Sequence, residues 1–191
     1  MTTDTRERIV KGTAELLRRQ GYAGTGFKQI GAEAGATVGS TYHFFPGGKE
    51  ELAAASLRWA ADGYAALVGS LLRSTPDPVA AVAAAFEGAA DTLRTTDYAD
   101  ACPIATVALE VASSNEPLRI VTAEIFEGWL QGLDAFFGTS GVPEPRQREL
   151  STLFLAALEG GFLLSRAAKD TAPMLALGRS VTAAVARALE P

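Results

Sequence analysis

Apolar positions recur along this chain at helical spacing, with almost none of the alternation that marks a strand. Ile9, Thr13, Leu16 and Leu17 fall at i, i+4, i+7 and i+8, which predicts a first helix from about Asp4 to Gln20, closed by Gly21. Phe27, Ile30 and Ala34 form the inner face of a short second helix, about Gly26 to Glu33, with Thr25 as its N-cap. Gly35 fits a tight turn with positive φ, and Thr37 caps a third helix, Val38 to Phe45. A long fourth helix follows from Lys49 to about Arg73, with Leu52, Leu57, Trp59, Tyr64, Leu67 and Leu71 apolar. Asp77-Pro78 supplies an N-cap and a first-turn proline for a helix to about residue 95, with Val82 and Phe86 on one stripe. Cys102-Pro103 starts a helix to about Ser114, and Asn115-Glu116-Pro117 starts another, to Phe137. Residues 138–145 read as a loop, and two last helices span about 146–169 and 172–189. The expected fold is therefore all-α, with roughly nine helices.

Two short helices joined by a glycine turn, braced by a longer first helix, are the pattern of a helix-turn-helix. Its second helix exposes Val38, Gly39, Ser40 and His43, small or polar groups that allow close approach to a base edge. Thr41 is expected to face inward. The last two helices carry a different message. Leu150, Leu153, Phe154, Ala157, Leu158 and Gly161 make one stripe, while Leu155, Phe162 and Leu163 lie on other faces. A helix apolar around much of its circumference must be covered on more than one side. One side is assigned to the chain's own core and the other to a second subunit, through Leu153, Ala157, Gly160, Gly161, Leu164, Leu175 and Gly178. The glycines would allow the helices to approach closely. A homodimer also suits DNA reading, because two recognition helices about one duplex turn apart, ~34 Å, match a palindrome.

The net charge of −5 weakens a nucleic-acid reading until its distribution is considered. Residues 1–52 hold seven basic and six acidic side chains, whereas the remainder holds ten and sixteen. A mildly basic end on an acidic body suits a DNA binder in which one face meets phosphate. At 48% hydrophobic residues the chain can bury a core, and its wholly apolar runs fall far short of the ~20 residues of a membrane span. The start, MTTDTRERIVKG, lacks the apolar core of a signal peptide. One cysteine, Cys102, cannot form an intramolecular disulfide, so a cytoplasmic setting is expected.

The run from Ile30 to Leu52, IGAEAGATVGSTYHFFPGGKEEL, resembles the N-terminal domain of TetR/AcrR-type transcriptional regulators. The matching elements are Ile30-Gly31, Ala34-Gly35 at the turn, Tyr42-His43-Phe44-Phe45, and Lys49-Glu50-Glu51-Leu52 opening the next helix. Gly31 stands where the family usually has alanine, and Pro46-Gly47-Gly48-Lys49 is one residue longer than the common corner. That corner, with Ala101-Cys102-Pro103-Ile104-Ala105, is similar to the LmrA/YxaF-like branch. The resemblance implies a DNA-binding domain over residues 1–48 and a helical ligand-binding and dimerisation domain over 49–191. Thr25 and Lys28, at a helix start, offer a hydroxyl, backbone N–H groups and an ammonium to a phosphate. Tyr42 offers its phenol, Thr37 and His43 flank the same surface, and the resemblance brings Lys49 to the DNA backbone. Val38, Gly39 and Ser40 are the candidate base readers. This helix has no arginine for a bidentate guanine contact, so specificity is expected from apolar, hydroxyl and shape readout, or from Lys28 and an N-terminal arm.

Catalytic chemistry is not visible. One histidine and one cysteine far apart make no nucleophile–base pair, and no phosphate loop, metal-spaced cluster or cofactor motif occurs. Cys102 at a helix start invites a redox reading, although a lone cysteine is more often a small buried apolar residue. The resemblance further implies a pocket in the acidic body, with Trp59, Phe86, Cys102, Thr106, Trp129, Phe154 and Phe162 as candidate lining residues for a hydrophobic effector. The expected function is a ligand-responsive repressor of operator DNA. The alternative is a helical small-molecule-binding protein without DNA-binding activity.

Overall fold

Helix α1, Thr2–Gln20, buries one side and wets the other as its stripe dictates: Ile9, Thr13, Leu16 and Leu17 are all 6% exposed or less. The computed structural model describes residues 2–99 and 101–190, with side chains from Thr5 onward. Among them, nine helices and no strand occur: α2 Phe27–Ala34, α3 Val38–Phe44, α4 Gly48–Leu72, α5 Pro78–Thr95, α6 Pro103–Val111, α7 Glu116–Thr139, α8 Glu144–Ala168 and α9 Ala172–Ala188. The chain is all-α. Helix starts follow the local chemistry. Thr37 accepts the Ser40 N–H at 3.0 Å, and Asp77 accepts the Val79 N–H at 2.9 Å ahead of Pro78. Helix α6 ends at Val111, short of the expected Ser114, in a turn closed by Asn115, whose Oδ1 caps α7 through the Leu118 N–H at 2.9 Å.

Packing groups the helices into two compact units, Met1–Tyr64 with Cys102–Ile125, and Ala65–Ala101 with Phe126–Pro191. Helices α4 and α7 each belong to both.

The first unit is built on Ile9, Val10, Leu16, Ile30, Ala34, Phe45 and Leu52, which lock α1, α2 and the start of α4 together. Helix α6 lies against α1. In the second unit α9 packs on both α5 and α8. Its core includes Val82, Phe86, Phe137, Leu150, Phe154, Met174 and Val181, with Phe86 and Phe154 edge to face at 5.3 Å.

Two glycines expected at a second subunit, Gly161 and Gly178, are close-packed inside the chain. A Cβ on Gly161 would stand 2.6 Å from Met174 Sδ, and one on Gly178 would stand 2.7 Å from Phe86 Cβ. Both mark where α9 closes on its own neighbours, because only a missing side chain lets the helices come that near. Ala157 is likewise buried in this core, and Leu175 is half-buried against it. Leu153 and Leu164 stay outside at 42% and 53% exposed, beside Leu163 at 63%, and Gly160 has open space around its Cα. Among the described residues α8 alone is long and apolar enough to cross a membrane by length and composition; Leu150, Phe154 and Leu158 spend part of that character on the core.

Candidate nucleic-acid interface

The geometry around α2 and α3 begins with the turn between them. Gly35 adopts φ 58°, ψ 39°, where a side chain would be strained. The Ala36 N–H donates back to the Gly31 carbonyl at 2.9 Å. This turn explains the departure at position 31: a Cβ there would lie 2.7 Å from the Ala36 carbonyl oxygen. Arg8 reaches across from α1 and donates through Nε to the Ala34 carbonyl at 3.1 Å, closing the end of α2. The following corner also has a local closure. Gly48 takes φ 78°, and Glu51 folds back to accept the Gly47 N–H at 2.7 Å.

Thr25 does not do what its position invites. Gly26, in extended backbone, is the N-cap of α2, and its N–H is taken by Gln29 Oε1 at 2.9 Å. Thr25 is 1% exposed and donates its hydroxyl to the Gly21 carbonyl at 2.7 Å, so it braces the α1–α2 loop and is withdrawn from any phosphate. Helix α1 begins at Thr2, ahead of the expected Asp4.

The other predicted positions divide cleanly. Thr41 is fully buried and donates to the Thr37 carbonyl at 3.2 Å. Lys28, Thr37, Val38, Gly39, Tyr42 and His43 are exposed, and Ser40 is half-buried with its hydroxyl 2.9 Å from that of Thr37. Tyr42 stacks on Phe27 with ring centroids 4.6 Å apart, which fixes the ring while leaving the residue 51% exposed. Lys49 places its ammonium over the Tyr22 ring, 4.2 Å from the centroid. Partial burial pushes the Lys49 ammonium below its ordinary pKa, and the Glu110 carboxylate opposes that shift. Among the described residues the face therefore offers the exposed Lys28 on α2, the half-sheltered Lys49 at the α4 start, and small or hydroxyl-bearing groups between them. Sequence reasoning missed Arg8 and Glu110, whose partners no local pattern announces, and Gln29, which a capping box three residues after Gly26 could have flagged.

The candidate ligand residues divide between the two units. Trp59 is 43% exposed on α4, with the Lys11 ammonium 5.7 Å from its ring centroid. Cys102 is buried as the N-cap of α6, its sulfur accepting the Ala105 N–H at 3.4 Å, and Thr106 donates to the Cys102 carbonyl at 2.9 Å. These three belong to the first unit. In the second, Phe86 and Phe154 are core, Phe162 is half-buried against that core, and Trp129 is half-buried beside Phe126. A groove of about 420 Å³ between α5 and α9 is lined by Val79, Ala83, Phe86, Leu175 and Arg179 among others. Phe86 is the one predicted ligand residue on it. No cluster of His, Cys, Asp or Glu able to hold a metal occurs among the described residues.

An all-helical chain whose first three helices form a helix-turn-helix with an outward third helix is, by architecture, a DNA-binding regulator. Comparison with known proteins makes the assignment specific. Residues 9–56 match the description "Bacterial regulatory proteins, tetR family", and residues 78–180 match "Transcriptional regulator LmrA/YxaF-like, C-terminal domain". The chain belongs to the TetR family of transcriptional regulators, in its LmrA/YxaF-like branch, and is not an enzyme. It is 34% identical to the HTH-type transcriptional regulator YxaF of Bacillus subtilis, over 93% of each chain. It is 33% identical to the transcriptional regulator LmrA of the same organism, over 90% of this chain and 92% of that one. Among solved structures, a TetR regulator from Agrobacterium tumefaciens matches 96% of this chain and 98% of its own with a TM-score of 0.82 at 20% identity. One from Chloroflexus aurantiacus matches 97% and 96% with a TM-score of 0.80 at 24% identity, which establishes the shared fold.

Proposed function

We propose that the protein is a ligand-responsive repressor that binds palindromic operator DNA as a homodimer and is released by a small hydrophobic effector, acting in the cytoplasm. The observation that carries this reading is the outward face of α3, where Val38, Gly39, Tyr42 and His43 are exposed beside Lys28. Val38 and Gly39 are suited to thymine methyls and close backbone approach, and Ser40 and His43 add polar readers. Lys28, Lys49 and the Tyr42 phenol serve phosphates, which position without specifying. Residues 1–48 thus form the DNA-contacting part, and residues 49–191 the effector and dimer part.

With so few cations the contact is weak in one copy, so specificity comes from two copies held at a fixed spacing. The exposed apolar face of α8, with Leu153, Leu163 and Leu164, supports self-association there, since monomers seldom leave large leucine patches in water. The effector acts from the body, and α4, which belongs to both units, is the element through which it alters the spacing. The α5–α9 groove is an apolar space in that body. Release requires that the effector prefer the state that does not bind DNA, and its differential affinity sets how far the population moves.

A gel-shift titration with the intergenic DNA beside its own gene, at low and rising salt, tests the reading. A discrete complex that weakens as salt rises is expected. No shift at low salt on any neighbouring intergenic duplex would sink it.

A further inference from the structure

The loop between α1 and α2 aims the start of α2, and most of its fasteners are local. Thr25 holds the Gly21 carbonyl, and Gln20 Nε2 donates to the Gly24 carbonyl at 2.8 Å and to Gln29 Oε1 at 3.2 Å. One fastener comes from 87 residues away. Glu110, in the last turn of α6, accepts the Ala23 N–H at 2.8 Å through Oε2. Its carboxyl lies so tightly over Gly21 that a Cβ on that glycine would overlap it. The same carboxylate acts on Lys49, whose ammonium caps the Tyr22 ring in this loop. Five residues on, Asn115 Nδ2 donates to Glu50 Oε2 at 2.8 Å, so the turn between α6 and α7 grips the first turn of α4 as well.

We propose that Glu110 is a positioning residue for DNA binding: from α6 it fixes the α1–α2 loop, and thereby the pose of the α2 start and of Lys49, toward phosphate. The proposal rests on the DNA-binding reading above. A carboxylate close to a phosphate-facing surface is electrostatically unfavourable for DNA. Simple charge logic therefore has its removal strengthening binding, whereas a positioning role has its removal weakening binding. The charge-assisted hydrogen bond to Ala23 is stronger than a neutral one, and an amide oxygen at the same place keeps the acceptor without the charge.

The test compares Glu110→Ala and Glu110→Gln in the full-length protein. Hydrogen exchange of the DNA-free protein should show Ala23 and its loop neighbours exchanging about tenfold faster in Glu110→Ala and close to wild type in Glu110→Gln. On a duplex recovered from a randomised pool by the wild-type protein, Glu110→Ala should bind about tenfold more weakly, with Glu110→Gln within about twofold of wild type. Unchanged exchange at Ala23, or tighter binding by both variants, overturns the proposal. If the wild type recovers no duplex, the DNA-binding reading fails and takes the DNA role of Glu110 with it. The exchange data then still decide whether the loop is fastened from α6. Both variants are checked for wild-type melting temperature, and the glutamine rescue separates positioning from loss of fold.

Discussion

Single side chains on the DNA-facing surface separate into those that reach outward and those that hold the surface in shape. Tyr42 does both, stacking on Phe27 while half its area stays in water. Tyr42→Phe keeps the stack and removes the phenol, so operator affinity should fall while thermal stability stays put. Hydrogen bonds to charged groups contribute about 1.5–3 kcal/mol, roughly tenfold or more in Kd on the affinity scale, which fluorescence anisotropy would resolve. Lys49→Ala should weaken binding to specific and unrelated duplexes alike and lower the salt slope by about 1. An unchanged slope would remove Lys49 from the phosphate contacts and leave it as the partner of Tyr22. Gly31 belongs to the holding set. Gly31→Ala pushes a methyl against the Ala36 carbonyl, and overpacking of this kind costs about 1–3 kcal/mol. Denaturant melts should register it, and a variant as stable as wild type would show that the turn relaxes freely.

At the scale of helices, α8 and α9 carry the clearest division of labour. Small residues on these helices have two readings, contact within the chain or between chains, and spacing alone does not choose. Gly178 is decided by Phe86 lying against its Cα, and Gly161 by Met174. Gly178→Ala should therefore lower stability, by about the same 1–3 kcal/mol, without changing the oligomeric state in sedimentation. Leu164 sits on the opposite side of the question. Leu164→Glu adds a charge to a 53% exposed position, so the isolated fold should persist while the proposed dimer dissociates. A monomeric wild type, or a dimer indifferent to this change, would move the self-association surface elsewhere.

For the whole molecule, the net charge of −5 predicts a regulator that binds DNA only through a small, nearly neutral end. Its affinity should therefore depend on salt less steeply than that of a strongly basic binder, because fewer counterions are released per protein. The helical architecture was legible in the chain because 3.6-residue periodicity, prolines at first turns and Thr37 and Asp77 as caps are local properties that burial then reinforces. So was the outward side of α3, since exposure of Val38, Gly39 and His43 follows from the phase of that helix. The ligand residues were less legible. Trp59 and Phe86 look alike in a sequence, yet one lies on the surface under Lys11 and the other in a core with Phe154.

What the sequence determined by itself was the set of helices, their caps, the helix-turn-helix and its membership in a family, all of them written in neighbours within about a turn or two. Tertiary structure alone decided which of those residues are free. It brought Glu110 onto Ala23 across 87 residues. It also placed Gly161 and Gly178 between helices of one chain. The physical reason is common to both: hydrogen-bond satisfaction and close packing are settled here by partners distant in sequence, and periodicity records only which face is buried, never against what.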